Sequence, residues 1–140
     1  LGAATTWATD LLVYLGPLAV NGGLTVGRAD PVWAVPGAPW VSLRGHVDAE
    51  LTLDGAKRTR SLLCVRNGRP GARAGDDLGF VGLVAALTHP GAPLPTRVVG
   101  LWPAAGRMLS LEIEPEDLRR AARATVEAVE RRRLAPAVAA

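Results

Sequence analysis

A chain of 140 residues, 49% of them hydrophobic and 21% charged, has the length and composition of one folded domain. This composition excludes a wholly disordered chain and a charge-rich coiled coil. The formal net charge is +3, but Lys57 is the only lysine, so almost all cations are arginines. We attribute the arginine excess to a GC-rich genome. Charge alone therefore does not predict binding to nucleic acid.

Cys64 is the only cysteine. An intramolecular disulfide is therefore impossible, and a zinc site built on cysteines is not expected. A lone cysteine favours a reducing compartment, so we expect a cytoplasmic protein. The most apolar stretch, residues 11–20, is interrupted by Gly16 and Pro17 and lacks the pattern of a signal peptide. It is also too short to span a bilayer, and we expect no membrane association.

The first half of the chain predicts one helix followed by strands. Helical spacing of apolar residues predicts a helix over residues 7–15. Period-two alternation predicts one long strand over residues 40–53, with apolar or small residues at the odd positions. A turn at residues 54–56 then returns the chain as a second strand over residues 57–66. In this hairpin Glu50 would lie opposite Arg60, and His46 opposite Cys64.

The second half predicts two helices around another hairpin. A helix from Leu78 to Leu87, capped by Asp76 or Asp77, ends before His89. Residues 96–102 and 108–113 form a hairpin, and the segment 114–117 opens a long last helix. We therefore predict an α+β fold over residues 1–134, in which an antiparallel β-sheet packs with an N-terminal helix, a buried middle helix and a long C-terminal helix. Residues 135–140 are expected to be a frayed tail.

No phosphate-binding loop, dinucleotide fingerprint or nucleophile elbow occurs in the sequence, so we expect no cofactor. The only residues that resemble an acid–base or thiol constellation are His46, Asp48, Glu50 and Cys64. Of these, His46, Asp48 and Cys64 are the candidates for catalysis, because an imidazole beside a thiol could activate it. A cysteine in mid-strand is more typical of a structural role. We therefore favour a protein without catalytic residues. The histidines and carboxylates also lack the spacing of metal ligands, and no metal is expected.

Two surfaces are candidates for binding a partner. The middle helix carries no charge between Leu78 and Leu87, so either the rest of the chain covers it or a partner does. We expect a homodimer formed through this helix or a neighbouring sheet edge, and the candidate interface residues are Leu78, Phe80, Val81, Val84 and Leu87. A second candidate is a run of cations that could bind an anionic partner, although a solvated face also explains it: Arg58, Arg60, Arg66, Arg69 and Arg73.

The order of elements resembles the type III secretion chaperone-like superfamily, which includes the YbjN-like bacterial proteins. The segments that carry the likeness are the opening helix, the apolar helix Leu78–Leu87, the hairpin Val98–Ile113 and the start of the last helix at Glu114–Leu118. The resemblance implies a protein that binds protein segments or acts as a regulator, often as a dimer, without catalytic residues. Secretion chaperones are usually acidic, whereas this chain is basic.

Two functions follow from these observations. The leading one is a non-enzymatic protein-binding, adaptor or chaperone-like domain. The alternative is a small-molecule-binding protein or an enzyme, with a pocket between a curved sheet and a helix near Arg44, His46 and Asp48. In that alternative the pocket would be lined by Trp33, Trp40, Trp102 and Met108.

Overall fold

The computed structural model of the protein describes residues 30–53 and 59–135. The predicted helix over residues 7–15, the predicted turn at 54–56 and the tail residues 136–140 lie outside the described residues. The fold is α+β, as predicted. Its strands and helices are β1 (Val32–Val35), β2 (Ala38–Arg44), β3 (Ala49–Leu53), β4 (Thr59–Val65), α1 (Ala74–Thr88), β5 (Pro95–Trp102), β6 (Arg107–Glu112) and α2 (Pro115–Leu134).

The described strands form two sheets. β1 and β2 pair as an antiparallel hairpin, and the other four strands form a sheet in the order β3-β4-β5-β6. The sequence predicted a purely antiparallel sheet, but β4 and β5 are parallel, so the larger sheet is mixed. The reason is that α1 lies between β4 and β5 in the chain. This helix returns the chain to the end of the sheet at which β4 began, so β5 runs in the same direction as β4.

The long strand predicted over residues 40–53 is wrong, because it is two strands that belong to different sheets. β2 ends at Arg44 and pairs with β1, whereas β3 begins at Ala49 and pairs with β4. Between them the Gly45 amide donates to the carbonyl of Pro31 at 2.9 Å. The alternation persists through β2, where Leu43 is buried and Arg44 is exposed, so it gave no sign of the break.

The predicted register of β3 against β4 is also wrong, by two residues. Thr59 lies opposite Leu53 instead of Leu51, and Glu50 lies opposite Leu62. β3 ends at Leu53 and β4 starts at Thr59, so residues 54–58, five in number, lie between them, whereas the prediction assumed a three-residue connection. A shift of two leaves every side chain on its predicted face. Glu50 and Arg60 therefore still meet, but diagonally, with Nε–Oε1 at 2.5 Å and Nη2–Oε2 at 3.0 Å.

The main core lies between the larger sheet and α1. Val98 from β5 and Leu78 from α1 are almost completely buried there. Two glycines permit close packing: a Cβ at Gly82 would lie 2.6 Å from Cδ1 of Ile113, and one at Gly100 would lie 2.6 Å from the Trp102 ring. A second buried cluster lies on the opposite face of the sheet and consists of Ala49, Leu63, Val99 and Leu101.

The helix ends follow the sequence only in part. Asp76 or Asp77 was predicted to cap α1, and this is wrong because α1 begins at Ala74. Both residues lie in its first turn, where carboxylates interact favourably with the positive end of the helix dipole. Its end at Thr88, before His89, is as predicted. α2 also begins as predicted, after Glu114, whose amide donates to Oδ2 of Asp117 at 2.9 Å.

Candidate functional site

Strand β6 forms one edge of the larger sheet. Within the described residues it pairs only with β5, in a register that runs unbroken from Arg107 opposite Trp102 to Glu112 opposite Arg97. An edge strand presents backbone donors and acceptors that a further strand can use. β6 is therefore a candidate site for strand addition.

The outward backbone groups of β6 can be assigned from one hydrogen bond. The amide of Ile113 donates to the carbonyl of Thr96, directly across from it, at 2.9 Å. In an antiparallel ladder such hydrogen-bonded pairs alternate with pairs whose N–H and C=O groups point away from each other. The residues of β6 that alternate with Ile113 in this way, and so direct their backbone groups to the open side, are Met108, Ser110 and Glu112.

The side chains of β6 are apolar in the middle and charged at the ends. Met108 is 54% exposed and Leu109 is 36% exposed, which is unusual for large apolar side chains in a sheet. Arg107 and Glu112 stand at the two ends, and Glu112 accepts a hydrogen bond from Arg97 of β5 at 2.8 Å. Charges protect the ends of an edge strand, but the centre of this one carries none.

A polar cluster lies where the β1–β2 hairpin meets the larger sheet. Nδ1 of His46 is 2.6 Å from Oδ1 of Asp30, and Nε2 is 3.0 Å from Oδ1 of Asp48. The other oxygen of Asp48 accepts the amide of Val65 at 2.6 Å, and Arg66 donates to the backbone carbonyl of His46 at 3.4 Å. The cluster thus connects the residues before β1 and β3 with the end of β4.

The structure does not place His46 opposite Cys64, as the predicted register required. Cys64 pairs with Gly100 of β5, is fully buried and belongs to the main core. Burial raises the pKa of the Cys64 thiol to about 11, and the nearby cation of Arg66 offsets this effect only in part. A thiol with this pKa is almost entirely protonated at neutral pH and is a poor nucleophile. Of the three candidate residues, only His46 and Asp48 are in contact.

The predicted interface on α1 is mostly covered by the chain itself. Leu78 and Val81 are buried in the main core, and Val84 is also fully buried. Of the five predicted interface residues, only Phe80 and Leu87 are half-buried. α1 contacts β5 and β6 on one side, α2 on another, and the β1–β2 hairpin. The uncharged character of this helix is therefore explained within one protomer, whereas the neighbouring sheet edge at β6 has no further strand beside it among residues 30–53 and 59–135.

The predicted cationic surface does not form one patch. Arg60 is 4% exposed; it is ion-paired with Glu50 and donates to the carbonyl of Ala85 at 3.3 Å, so it is part of the core. Arg66 is half-buried in the polar cluster, whereas Arg69 and Arg73 are exposed in the loop before α1. Arg58 lies outside the described residues.

The four side chains expected to line a pocket have different environments in the structure. Trp102 is 6% exposed in the core, and Met108 is exposed on β6. Trp40 is 80% exposed on β2, and Trp33 is half-buried on β1. Near the proposed pocket, Arg44 is exposed at the end of β2. The described residues contain no group of three or more histidine, cysteine or acidic side chains that could hold a metal ion.

Two features of these sites were missed from the sequence. Asp30 precedes a proline and shows no periodicity that would connect it with His46, 16 residues later. The edge position of β6 depends on the order of strands, which no local pattern reports. Met108 and Leu109 could in principle have indicated an exposed edge strand, since two adjacent apolar residues interrupt the apolar–polar alternation of a half-buried strand.

Comparison with protein-family models, with curated proteins and with solved structures finds no match for this chain. Neither described helix is long and apolar enough to cross a membrane. The functional interpretation therefore depends on the geometry of the described residues.

Proposed function

We propose that this protein is a non-enzymatic protein-binding domain, of the adaptor or chaperone-like kind, that takes up an extended segment of a protein partner as an added strand along β6. The observation that carries this proposal is the edge of β6, which no strand of the described part of the chain covers and along which the backbone groups of Met108, Ser110 and Glu112 are directed outward. Backbone hydrogen bonds give affinity in this binding mode, and alternate side chains give specificity.

The side chains of β6 define what the partner segment should contain. An added strand would place alternate residues beside the exposed Met108 on one face and beside Leu109 on the other. Apolar residues at the centre of the segment would bury both side chains. The terminal charges, Arg107 and Glu112, favour a segment with opposite charges at its ends and thereby fix its direction.

The test uses a peptide with the sequence of residues 106–113, whose centre is apolar and whose charges can complement those of β6. We expect the peptide to slow hydrogen exchange at the amides of Met108, Ser110 and Glu112, measured by NMR. Ser110→Pro should abolish this protection because it removes an outward donor, and edge strands tolerate proline. Ser110→Ala keeps the backbone donor and should bind like the wild type.

Two controls keep the result interpretable. Exchange at the amide of Gly100, which lies opposite Leu109 in a hydrogen-bonded pair of β5 with β6, reports whether Ser110→Pro preserves the sheet. If it does not, Met108→Lys replaces it, because a charge at the edge opposes strand addition. Protection of amides elsewhere, or equal binding by Ser110→Pro and Ser110→Ala, would contradict binding at the β6 edge.

A further inference from the structure

We propose that the end of α2, residues 126–134, is a second partner-binding surface, and that it packs against an amphipathic helix whose apolar side is flanked by acidic residues. The observation is that the apolar side of α2 continues beyond the part that packs on the domain and ends beside arginines that have no acidic partner among the described residues. This inference goes beyond strand addition at β6 and does not depend on it.

The first half of α2 packs on the domain, and the second half does not. Leu118 is half-buried against the main core, and its Cδ2 would lie 3.8 Å from a Cβ on Gly82 of α1. Thr125 is the last half-buried residue of α2, and every residue from Val126 to Leu134 is exposed. The helix therefore extends for about two and a half turns beyond its last half-buried residue.

The exposed half continues the apolar side of the packed half. With 3.6 residues per turn, Val129 follows Leu118 by about three turns and so lies on the same side of α2. Val126 is one turn before Val129, and the two side chains are 56% and 37% exposed. An isolated helix of two or three turns is marginal in water. A second helix on this side would bury both valines and stabilise the last turns of α2.

The arginines of the two halves differ in their partners. In the packed half, Arg119 and Arg123 both pair with Glu116, at 3.2 Å and 3.0 Å. In the last turn, none of the arginines 131–133 forms an ion pair with a carboxylate of the described residues. The cations of the last turn are therefore available to carboxylates of a partner.

The position of these arginines sets the chemistry of the partner. Arg133 is one turn after Val129 and lies on the same side of α2, whereas Arg131 is two residues after Val129 and points away. The helix dipole favours cations in the last turn, but it does not place one beside exposed valines. A helix with carboxylates next to its apolar side matches this arrangement, and a basic helix is repelled by it.

The test titrates the whole chain with a synthetic helical peptide that carries leucines at heptad positions a and d and glutamates at e and g. We expect the peptide to shift the backbone amide signals of residues 126–134 in NMR spectra and to slow the hydrogen exchange of these amides. Added salt should weaken the binding. The matched peptide, with lysines in place of the glutamates, should not bind.

Two pairs of variants distinguish this side of α2 from the rest of the helix. Val129→Gln should weaken binding about tenfold because it removes apolar surface from the contact, whereas Ala124→Gln, on the other side of the helix, should not. Arg133→Gln should weaken binding about twofold to fivefold, the effect of one exposed ion pair. Arg131→Gln removes the same charge from the same turn and should have a smaller effect.

Unchanged amide shifts in β5 show that each variant keeps the fold. The proposal is wrong if the glutamate peptide shifts no amide signal between residues 126 and 134, if the lysine peptide binds equally well, or if Val129→Gln and Ala124→Gln bind alike. It is also wrong if the wild type forms a dimer that Val129→Gln abolishes, because a second copy of the chain would then cover these residues.

Discussion

At the scale of single residues, the least ordinary feature is a charged side chain in the core. Arg60 is 4% exposed, and its guanidinium is held by two bonds to the Glu50 carboxylate and one to the carbonyl of Ala85. A buried ion pair contributes little compared with an apolar pair of the same shape, but loss of one partner leaves a buried charge uncompensated. Glu50 is therefore important for stability even though it is 27% exposed.

We predict that Glu50→Gln lowers the free energy of unfolding by about 2 kcal/mol, less than the roughly 3–5 kcal/mol of a fully buried pair that loses one partner, because Glu50 is in partial contact with water. The matched control is Glu112→Gln, which removes the exposed pair with Arg97 and should cost less than about 1 kcal/mol. Urea unfolding of the three proteins measures both values. Equal losses in the two variants would mean that Arg60 finds another partner or reaches water.

At the scale of elements, α1 is positioned by how closely it approaches its neighbours. A Cβ on Gly82 would meet Ile113 at 2.6 Å and Val98 at 3.4 Å, whereas a Cβ on Gly79 would have nothing within 4 Å. Both glycines lie in the same helix, so both substitutions to alanine gain the same helix propensity. The difference between them isolates the packing contact.

Gly79→Ala should stabilise the protein by up to about 1 kcal/mol, because alanine is the better helix former. Gly82→Ala should destabilise it by about 1–2 kcal/mol, because the overpacked core has to shift and this outweighs the same gain. Thermal or urea unfolding gives the sign of each change. A stabilising Gly82→Ala would show that Ile113 can move aside freely and that α1 does not depend on this contact.

At the scale of the whole molecule, the β6 edge, which is unpaired within the residues that the structure describes, leads us to predict a homodimer. A two-fold axis through Ser110 would pair the outward backbone groups of two copies and place Leu109 of one copy opposite Leu111 of the other. Edge pairing over six residues buries less than the roughly 800 Å² per partner of a typical stable interface, so the dimer should be weak. Uptake of a partner strand would compete with it.

Sedimentation equilibrium from micromolar to millimolar protein tests this dimer. The wild type and Ser110→Ala should show concentration-dependent dimerisation, and Ser110→Pro should stay monomeric because it lacks an outward donor. The peptide of residues 106–113 should dissociate the wild-type dimer. A monomer mass for the wild type at every concentration would exclude self-pairing without excluding strand addition by a peptide.

Features that depend on residues close together in the chain could be predicted from the sequence. The α+β class, the β5–β6 hairpin, the end of α1 before His89 and the start of α2 at Pro115 all follow from periodicity, turn residues and capping. The sequence also predicted correctly that Glu50 and Arg60 meet. It did so with a register that was wrong by two residues, because a shift of two preserves the face.

The order of strands in the sheets could not be predicted from the sequence. Alternation reports which face of a strand is buried but not which strand lies beside it, so residues 40–53 appeared as one strand although β2 and β3 belong to two sheets. The parallel pairing of β4 with β5, the edge position of β6 and the contact of Asp30 with His46 all join residues distant in the chain. Such contacts depend on how the elements pack together, which local sequence does not encode.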